Sequence, residues 1–389
     1  MALVRFVWTP ELLAYDFGPG HPMAPARLDL TYRLAQEFGL LREWSIETVS
    51  VEPAPDDVLA CTNTPGYVAA VRAASAGKPA PEFGLGTDDD PIFPAMHDTA
   101  ARIVAASIDV AEAVWDGRAL HGVNLAGGMH HAAPDRASGF CIYNDATAAI
   151  TRLLALGVER VAYVDLDAHH GDGVEQAFWN DPRVLTVSLH QDGNTLFPGT
   201  GFAGDIGGPD ALGTAVNIAL PSRTVSGAWL RAFDAVVPEV LTAFKPQVIV
   251  SQHGTDAHHK DPLSDLRLCV DALRGAARRI HDLSHELADG RWVALGGGGY
   301  AVVDVVPLVW TSLLAEAQHE PLDLAQPLPP DWRDYVAEVS GLAPAHWLGV
   351  EVAEFTRWPA PPELDFEGNA DAAIEATRKA VFPHLGLTP

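Results

Sequence analysis

Cysteine is scarce in this chain. There are three in 389 residues, Cys61, Cys141 and Cys269, odd in number and scattered. They make no metal-type pair and no even framework. A disulfide scaffold and a cysteine-bound zinc site are therefore excluded as organising features, and free thiols in a reducing compartment are expected. Basic residues are also few, 25 against 51 aspartates and glutamates, for a formal net charge of −26. A surface that acidic repels phosphate backbones, so nucleic acid is not expected as a partner. Cationic partners or substrates, such as lysine-rich tails or polyamines, fit better. No apolar run is long enough to span a bilayer, and no membrane association is expected. The opening segment MALVRFVWTP lacks the basic start, apolar core and small-residue cleavage site of a signal peptide, which predicts a cytoplasmic location.

What is present is ample apolar material, 48% of residues, enough for a globular core. Short β-branched runs recur with helix-like segments between them: VRFVW (4–8), GVNLAGG (122–128), RVAYVDLD (160–167), VLTVSLH (184–190), QVIVSQ (247–252) and WVALGG (292–297). They are continuous rather than alternating, the pattern of parallel strands buried on both faces. Helix signals lie between them. Asp98 is placed as the cap of TAARIVAASIDVAEAVWDG with Gly117 ending it, and Asn144 opens a helix to Gly157. Ser226 is placed as the cap of a helix that stops before Pro246, and Ser264 as the cap of one running toward Asp289 and Gly290. The alternation predicts a three-layer α/β/α architecture around a mostly parallel sheet. No repeat or linker interrupts it. The chain reads as one domain over 1–389, with a Pro- and Trp-rich segment from about 320 packed on its surface.

The chemistry-bearing clusters each follow a strand directly: MHHAAPD, DAHHGDG, HGTDAHH and GGGGY. In parallel α/β sheets, ligands bind at the carboxyl ends of strands, so these segments are expected to converge on one rim. Burying so many ionisable groups is costly unless they are paired or bind a metal. Residues two apart in extended chain point to one side, so Asp167 and His169 can present an oxygen and a nitrogen to one point. Asp256, after another strand, can be the third donor. Three protein ligands with an open position is the catalytic zinc pattern. His130 and His131 offer imidazoles for proton transfer near neutral pH. Asp165 and Asp172 are free to orient them, which favours two His–Asp dyads over direct metal ligation by the histidine pair or a satisfied buried pair. GGGGY is either a phosphate-cradling loop or a backbone that passes close to the metal pocket and delivers Tyr300. The first reading lacks the following Lys-Ser/Thr and the spacing of a dinucleotide fingerprint.

The blocks GGMHHAAPDRASGFCIYNDA, YVDLDAHHGDGV, TVSLHQDGNTLFPGTG, QHGTDAH and GGGGY, in that order, resemble the signature segments of the zinc-dependent histone deacetylase superfamily. GHPMAPARL and GLGTDDDPIFPAMH bring the chain nearest to the bacterial acetoin-utilisation deacetylases. The resemblance spans about residues 18–310 and implies an arginase/deacetylase fold with a sheet of about eight strands. It further implies Zn²⁺ on Asp167, His169 and Asp256, and dyads of His130 with Asp165 and of His131 with Asp172. His131 would be the general base and acid, His130 its electrostatic support, and Tyr300 the oxyanion donor. Phe140 and Phe197 would wall an acyl-lysine tunnel. Gly139 would lie at its wall, Leu263 at its mouth, Asp89 at the rim gripping the substrate backbone, and Arg27 beneath the metal. A structural K⁺ is implied at Asp165, Asp167, His169, Ser188 and Leu189, mostly through backbone oxygens, with a second near Phe178, Asp181 and Val184. The implied activity is hydrolysis of N-acetyl-lysine on proteins such as an acyl-CoA synthetase. The alternative is a small acetylated amine, as in an acetylpolyamine deacetylase. A ureohydrolase on this fold would need two manganese ions and further bridging aspartates. A non-catalytic acyl-lysine reader would have lost a ligand or the tyrosine, and neither is missing. Met129 and Thr255 flank these positions without an assigned role, and His258 and His259, two and three residues beyond Asp256, are either entrance-lining imidazoles or polar surface.

Overall fold

The apolar runs form one eight-stranded, wholly parallel sheet. Its strands are β1 (Ala2–Val7), β2 (Ile46–Val49), β3 (Ala119–Asn124), β4 (Val161–Asp165), β5 (Val184–Gln191), β6 (Ala215–Leu220), β7 (Val248–Gln252) and β8 (Trp292–Leu295), in spatial order β2-β1-β3-β8-β7-β4-β5-β6. The computed structural model describes residues 2–361 and 368–389. Every residue of β4, β5, β7 and β8 is buried. Alternate side chains feed different layers: Ala162 and Val164 join the larger core on one face, Val161 and Tyr163 the smaller core on the other. Two-sided burial is why these strands read as unbroken apolar runs.

Two strands carried no clear sequence signal. β2 is an edge strand with one buried residue of four, and β6 places the polar Asn217 mid-run. The GVNLAGG run begins earlier and ends sooner than its apolar stretch implies, because the Gly128 and Met129 N–H groups leave the ladder for the Asp145 carboxylate.

Three expected helix caps are corrected. The helix Met96–Trp115 starts before Asp98, which sits in its first turn, and its cap position is Ala95. Ser226 lies inside the helix Ser226–Phe244, and its hydroxyl accepts the Cys269 N–H. Ser264 donates to the Asp256 carbonyl instead of capping, and the helix Val270–Leu287 starts six residues later. Bridges from Arg267 to Val225 and from Leu268 to His258 hold the intervening segment extended. Asn144 does cap the helix Asp145–Ala155, accepting the Thr147 N–H.

Among the described residues, the segment after residue 320 contributes two α-helices and a short 3₁₀ turn, Phe382–Leu385. Pro330–Ser340 packs through Trp332 and Val336 against Leu30 and Leu34, and Trp332 Nε1–H donates to the Leu30 carbonyl at 2.9 Å. Gly368–Val381 places Ile374 and Val381 in the main core, and Thr377 donates to the Asn217 carbonyl on β6. Trp332→Ala removes a fully buried anchor and its hydrogen bond. A loss of about 3–5 kcal/mol in denaturant unfolding is expected; a loss under about 1 kcal/mol would mean that this helix is not docked in solution.

Candidate active site

The spatial order makes β3, β8, β7 and β4 consecutive neighbours. These are the four strands whose carboxyl ends carry the polar clusters, so 130–131, 165–172, 253–261 and 296–300 meet on one rim. Asp167, His169 and Asp256 come together with ligand atoms within 4.8 Å of one another, all buried. His169 Nδ1 lies 3.1 Å from Asp167 Oδ1 and 3.0 Å from Asp256 Oδ2. The other carboxylate oxygens are taken. Asp167 Oδ2 accepts from Gln252 Nε2 (2.7 Å) and the Gly298 N–H (2.8 Å), and Asp256 Oδ1 accepts the Ala168 N–H (2.8 Å). One oxygen of each carboxylate is thereby aimed at a common point. Burial and the Asp167 charge push the Asp256 carboxyl up. Two carboxylates and an imidazole packed this tightly out of water call for a cation, and this donor set suits a divalent metal such as zinc.

The two dyads are present. His130 Nδ1–H donates to Asp165 Oδ2 at 2.8 Å, and His131 Nδ1–H to Asp172 Oδ1 at 2.7 Å. Asp165 Oδ2 also accepts from the Tyr163 hydroxyl, which pins it. With both Nδ1 atoms engaged, the two Nε2 atoms face each other at 3.0 Å, within hydrogen-bond reach. Burial opposes charge on His130, but Asp165 and Asp167 outweigh it and raise it to about 9. Burial, with the charge on His130, lowers His131 to about 4. Among these side chains charge is favoured on His130 and opposed on His131, and the neutral imidazole is the form in which a base accepts a proton.

A cavity of about 270 Å³ opens above this floor, lined by Asp89, His131, Gly139, Phe140, His169, Leu196, Phe197, Leu263 and Tyr300. It gathers all five expected substrate positions with Tyr300; Leu196 was not anticipated. Phe140 stands edge-on to Tyr300, with ring centroids 5.7 Å apart, and Phe197 edge-on to His131 at 5.1 Å. The buried Tyr15 hydroxyl donates to the Phe140 carbonyl and accepts the Ile142 N–H, holding this loop with Phe140 at φ +66°. Asp89 Oδ2 accepts the Gly139 N–H at 2.8 Å, which ties the rim to the tunnel wall.

The glycine run takes the second of its two readings: it packs its backbone against the triad. A Cβ at Gly298 would lie 2.3 Å from Asp256 Oδ2, so no side chain fits there. Arg27, buried, donates to the Gly299 and Gly297 carbonyls and braces the run from below. Tyr300 is set by its own N–H, which donates to Asp261 Oδ2 at 2.7 Å. Gly139 is equally constrained. Its φ is +56°, and a Cβ there would come 2.3 Å from His131 Cδ2. Gly139→Ala is expected to displace the His131 ring and lower turnover about 10²-fold with the circular dichroism spectrum unchanged. An unaltered rate would show that the ring yields freely.

The remaining expected positions lie outside the substrate cavity. Asp165 and Ser188 are register partners on β4 and β5, beside buried Leu189. Phe178, Asp181 and Val184 form a turn in which the Phe178 and Asp181 carbonyls accept backbone N–H groups. His258 and His259 do not border the substrate cavity. They line a separate one of about 250 Å³ with Trp347 and Val350. Met129 lies at the triad's edge, its N–H on Asp145, and Thr255 is buried behind Gly299. Sequence reasoning missed the supports Gln252, Asp261 and Asp145. Asp261 lies two residues beyond the HGTDAHH block, and a buried-acid reading extended past that block would have reached it.

The histone deacetylase domain family matches residues 21–317, more than half of the chain. The acetoin utilization protein AcuC of Bacillus subtilis (strain 168) is 40% identical over 331 residues, covering 84% of each chain. AcuC of Staphylococcus aureus (strain MRSA252) is 35% identical over 382 residues, covering 96% of each. The crystal structure of a histone deacetylase homologue complexed with SAHA superposes with a TM-score of 0.84 at 26% identity, over 96% of this chain and 99% of that one. The order of the strands, the convergence of the clusters and these similarities agree: the chain belongs to the histone deacetylase family and is an AcuC-like deacetylase.

Proposed function

We propose that the protein is a zinc-dependent deacetylase that hydrolyses N-acetyl-lysine amides to lysine and acetate, on proteins such as an acyl-CoA synthetase. The observation that carries this reading is the pair of His–Asp dyads facing the Asp167–His169–Asp256 triad at the foot of an aromatic-walled cavity. Asp167, His169 and Asp256 would hold the zinc, which would supply Lewis acidity toward an amide carbonyl and ease the loss of a proton from water near neutral pH. The chain's own residues do the rest. His131 Nε2 takes the proton of the attacking water and returns it to the departing lysine amine. Asp172 holds His131 in the tautomer that leaves Nε2 free. His130, charged beside Asp165, stabilises the negative charge that develops. The Tyr300 hydroxyl donates to the oxyanion. Phe140 and Phe197 pack along the lysine methylenes, Gly139 lets the chain pass, and Leu263 meets it at the mouth. Asp89 grips the substrate backbone at the rim.

A structural potassium ion is part of the proposal. Asp165 and Ser188 sit opposite each other on adjacent strands with Leu189 beside them, fully buried, where backbone oxygens of 165, 167, 169, 188 and 189 would hold it. A cytoplasmic location is also proposed, in keeping with three free cysteines.

The alternative is a small acetylated amine, and the net charge of −26 favours such a polycation. The test is acetate release by the zinc-loaded protein from an acetyl-lysine peptide and from acetylated polyamines. Peptide turnover that disappears on chelation supports the proposal. Turnover of polyamines alone transfers the function to small-molecule metabolism, and turnover of neither overturns both readings.

A further inference from the structure

Away from the active-site rim, four histidines form a second cluster. His121 lies on β3. His281 and His285 are one turn apart on the helix Val270–Leu287. His319 follows the helix Val306–Ala317. One ring nitrogen of each lies within 4.8 Å of every other. His121 Nε2 is 3.2 Å from His319 Nε2, and His281 Nε2 is 3.1 Å from His285 Nε2. All six ring-to-ring separations fall between 4.6 and 5.3 Å. Six near-equal separations among four rings describe a tetrahedron.

That figure has a metal's dimensions. With metal–nitrogen bonds of about 2.0–2.1 Å, a tetrahedral site sets its nitrogens about 3.4 Å apart and its imidazole centroids about 5 Å apart. Stacking alone has no reason to bring four rings from three segments to one point. We propose that His121, His281, His285 and His319 form a second metal site, which binds a borderline divalent transition ion such as Zn²⁺ or Co²⁺ through four imidazoles.

The surroundings suit that role. Trp292, the register partner of His121, walls the site with centroids 5.6 Å from His121 and 5.5 Å from His281. Glu316, held by Arg278, places a negative charge 3.8 Å from His281 Nδ1, too far for a hydrogen bond but near enough to favour a cation in the cluster. His319 occupies φ +60°, a helix-ending position where glycine or asparagine is usual. His121 and His281 are buried while His285 and His319 reach solvent, which leaves an entry path. Four protein ligands leave no open position, so the site is structural rather than catalytic. It would clamp two helices to β3.

The test is Co²⁺ titration of the metal-stripped full chain, followed by absorbance and metal analysis. Wild type is expected to take up about two equivalents, and His285→Gln/His319→Gln about one, with deacetylase activity retained. Both replaced side chains are exposed, so the fold is kept. Thermal unfolding should shift upward with Co²⁺ by a larger margin in wild type than in the variant. Equal uptake and equal thermal shifts in the two proteins overturn the proposal. Asp256→Ala reports on the other centre alone, so failure of the catalytic reading would leave this result intact.

Discussion

Tyr300→Phe is expected to lower kcat on an acetyl-lysine peptide by about 10²–10³-fold while metal content and unfolding stay as in wild type. The magnitude is that of removing one oxyanion donor in a water-poor site. The substitution deletes a single oxygen. What places the ring survives it: the Tyr300 and Ala301 N–H groups on Asp261, the edge contact with Phe140 and the Arg27 guanidinium 5.8 Å from the ring. Burial, with Asp256 and Asp167 nearby, pushes the phenol well above its ordinary value, so it keeps its proton and acts as a donor. An effect on kcat with KM nearly unchanged would locate the lost interaction in the transition state. Near-normal turnover would remove Tyr300 from the mechanism. His131→Ala is the companion variant, with a loss of about 10²–10⁴-fold for a general base.

Asp256→Ala is expected to cost more, about 10³-fold or beyond in kcat/KM, together with one equivalent of bound metal. Lewis-acid stabilisation is worth several kcal/mol, and each 1.36 kcal/mol is about tenfold in rate. The triad has three protein donors, so losing one leaves Asp167 and His169 as a pair too weak to hold the ion. Asp256 is wholly buried and its Oδ1 accepts the Ala168 N–H, so the variant also leaves that donor without its partner. Asp256→Asn, which keeps the shape and an acceptor oxygen, separates the two effects. Metal loss with a normal unfolding transition is expected for Asn. Full metal occupancy by elemental analysis in both variants would refute the ligand assignment.

Much of the site is legible along the chain because of where strands end. Parallel strands buried on both faces must be apolar, so Asp165, Asp167, His130, His131 and Asp256 stand out against Val, Ala and Leu. Asp167 and His169 are expected to share a direction by the two-residue period of extended chain; the strand ends at Asp165, and it is a bend with the His169 N–H on Asp167 Oδ1 that brings both to one point with Asp256. The glycine run is similarly readable, since nothing else lets backbone pass against a carboxylate.

Other features had no local signal. β2 is half-exposed and short, and β6 is broken by Asn217, so neither shows a strand period of its own. The helix after Ser264 starts late because Arg267 and Leu268 are drawn into bridges with Val225 and His258. The supports of the site, Gln252 and Asp145, sit inside ordinary-looking elements, and their roles show only in partners such as Asp167, 85 residues from Gln252, and Gly128, 17 residues from Asp145. The four-histidine cluster is the extreme case. His281 and His285 share a helix face by their spacing, but His121 and His319 join them through the packing of two helices on β3.

The amino-acid sequence by itself determined the layered parallel architecture, the residues at each strand end and the family, because hydrophobic period and strand-end chemistry are local. Tertiary structure alone decided which strand ends adjoin, which oxygen of each carboxylate is free, how Tyr300 is held and that four scattered imidazoles meet. Those depend on strand order and on contacts between separate segments of the chain, which no local pattern encodes.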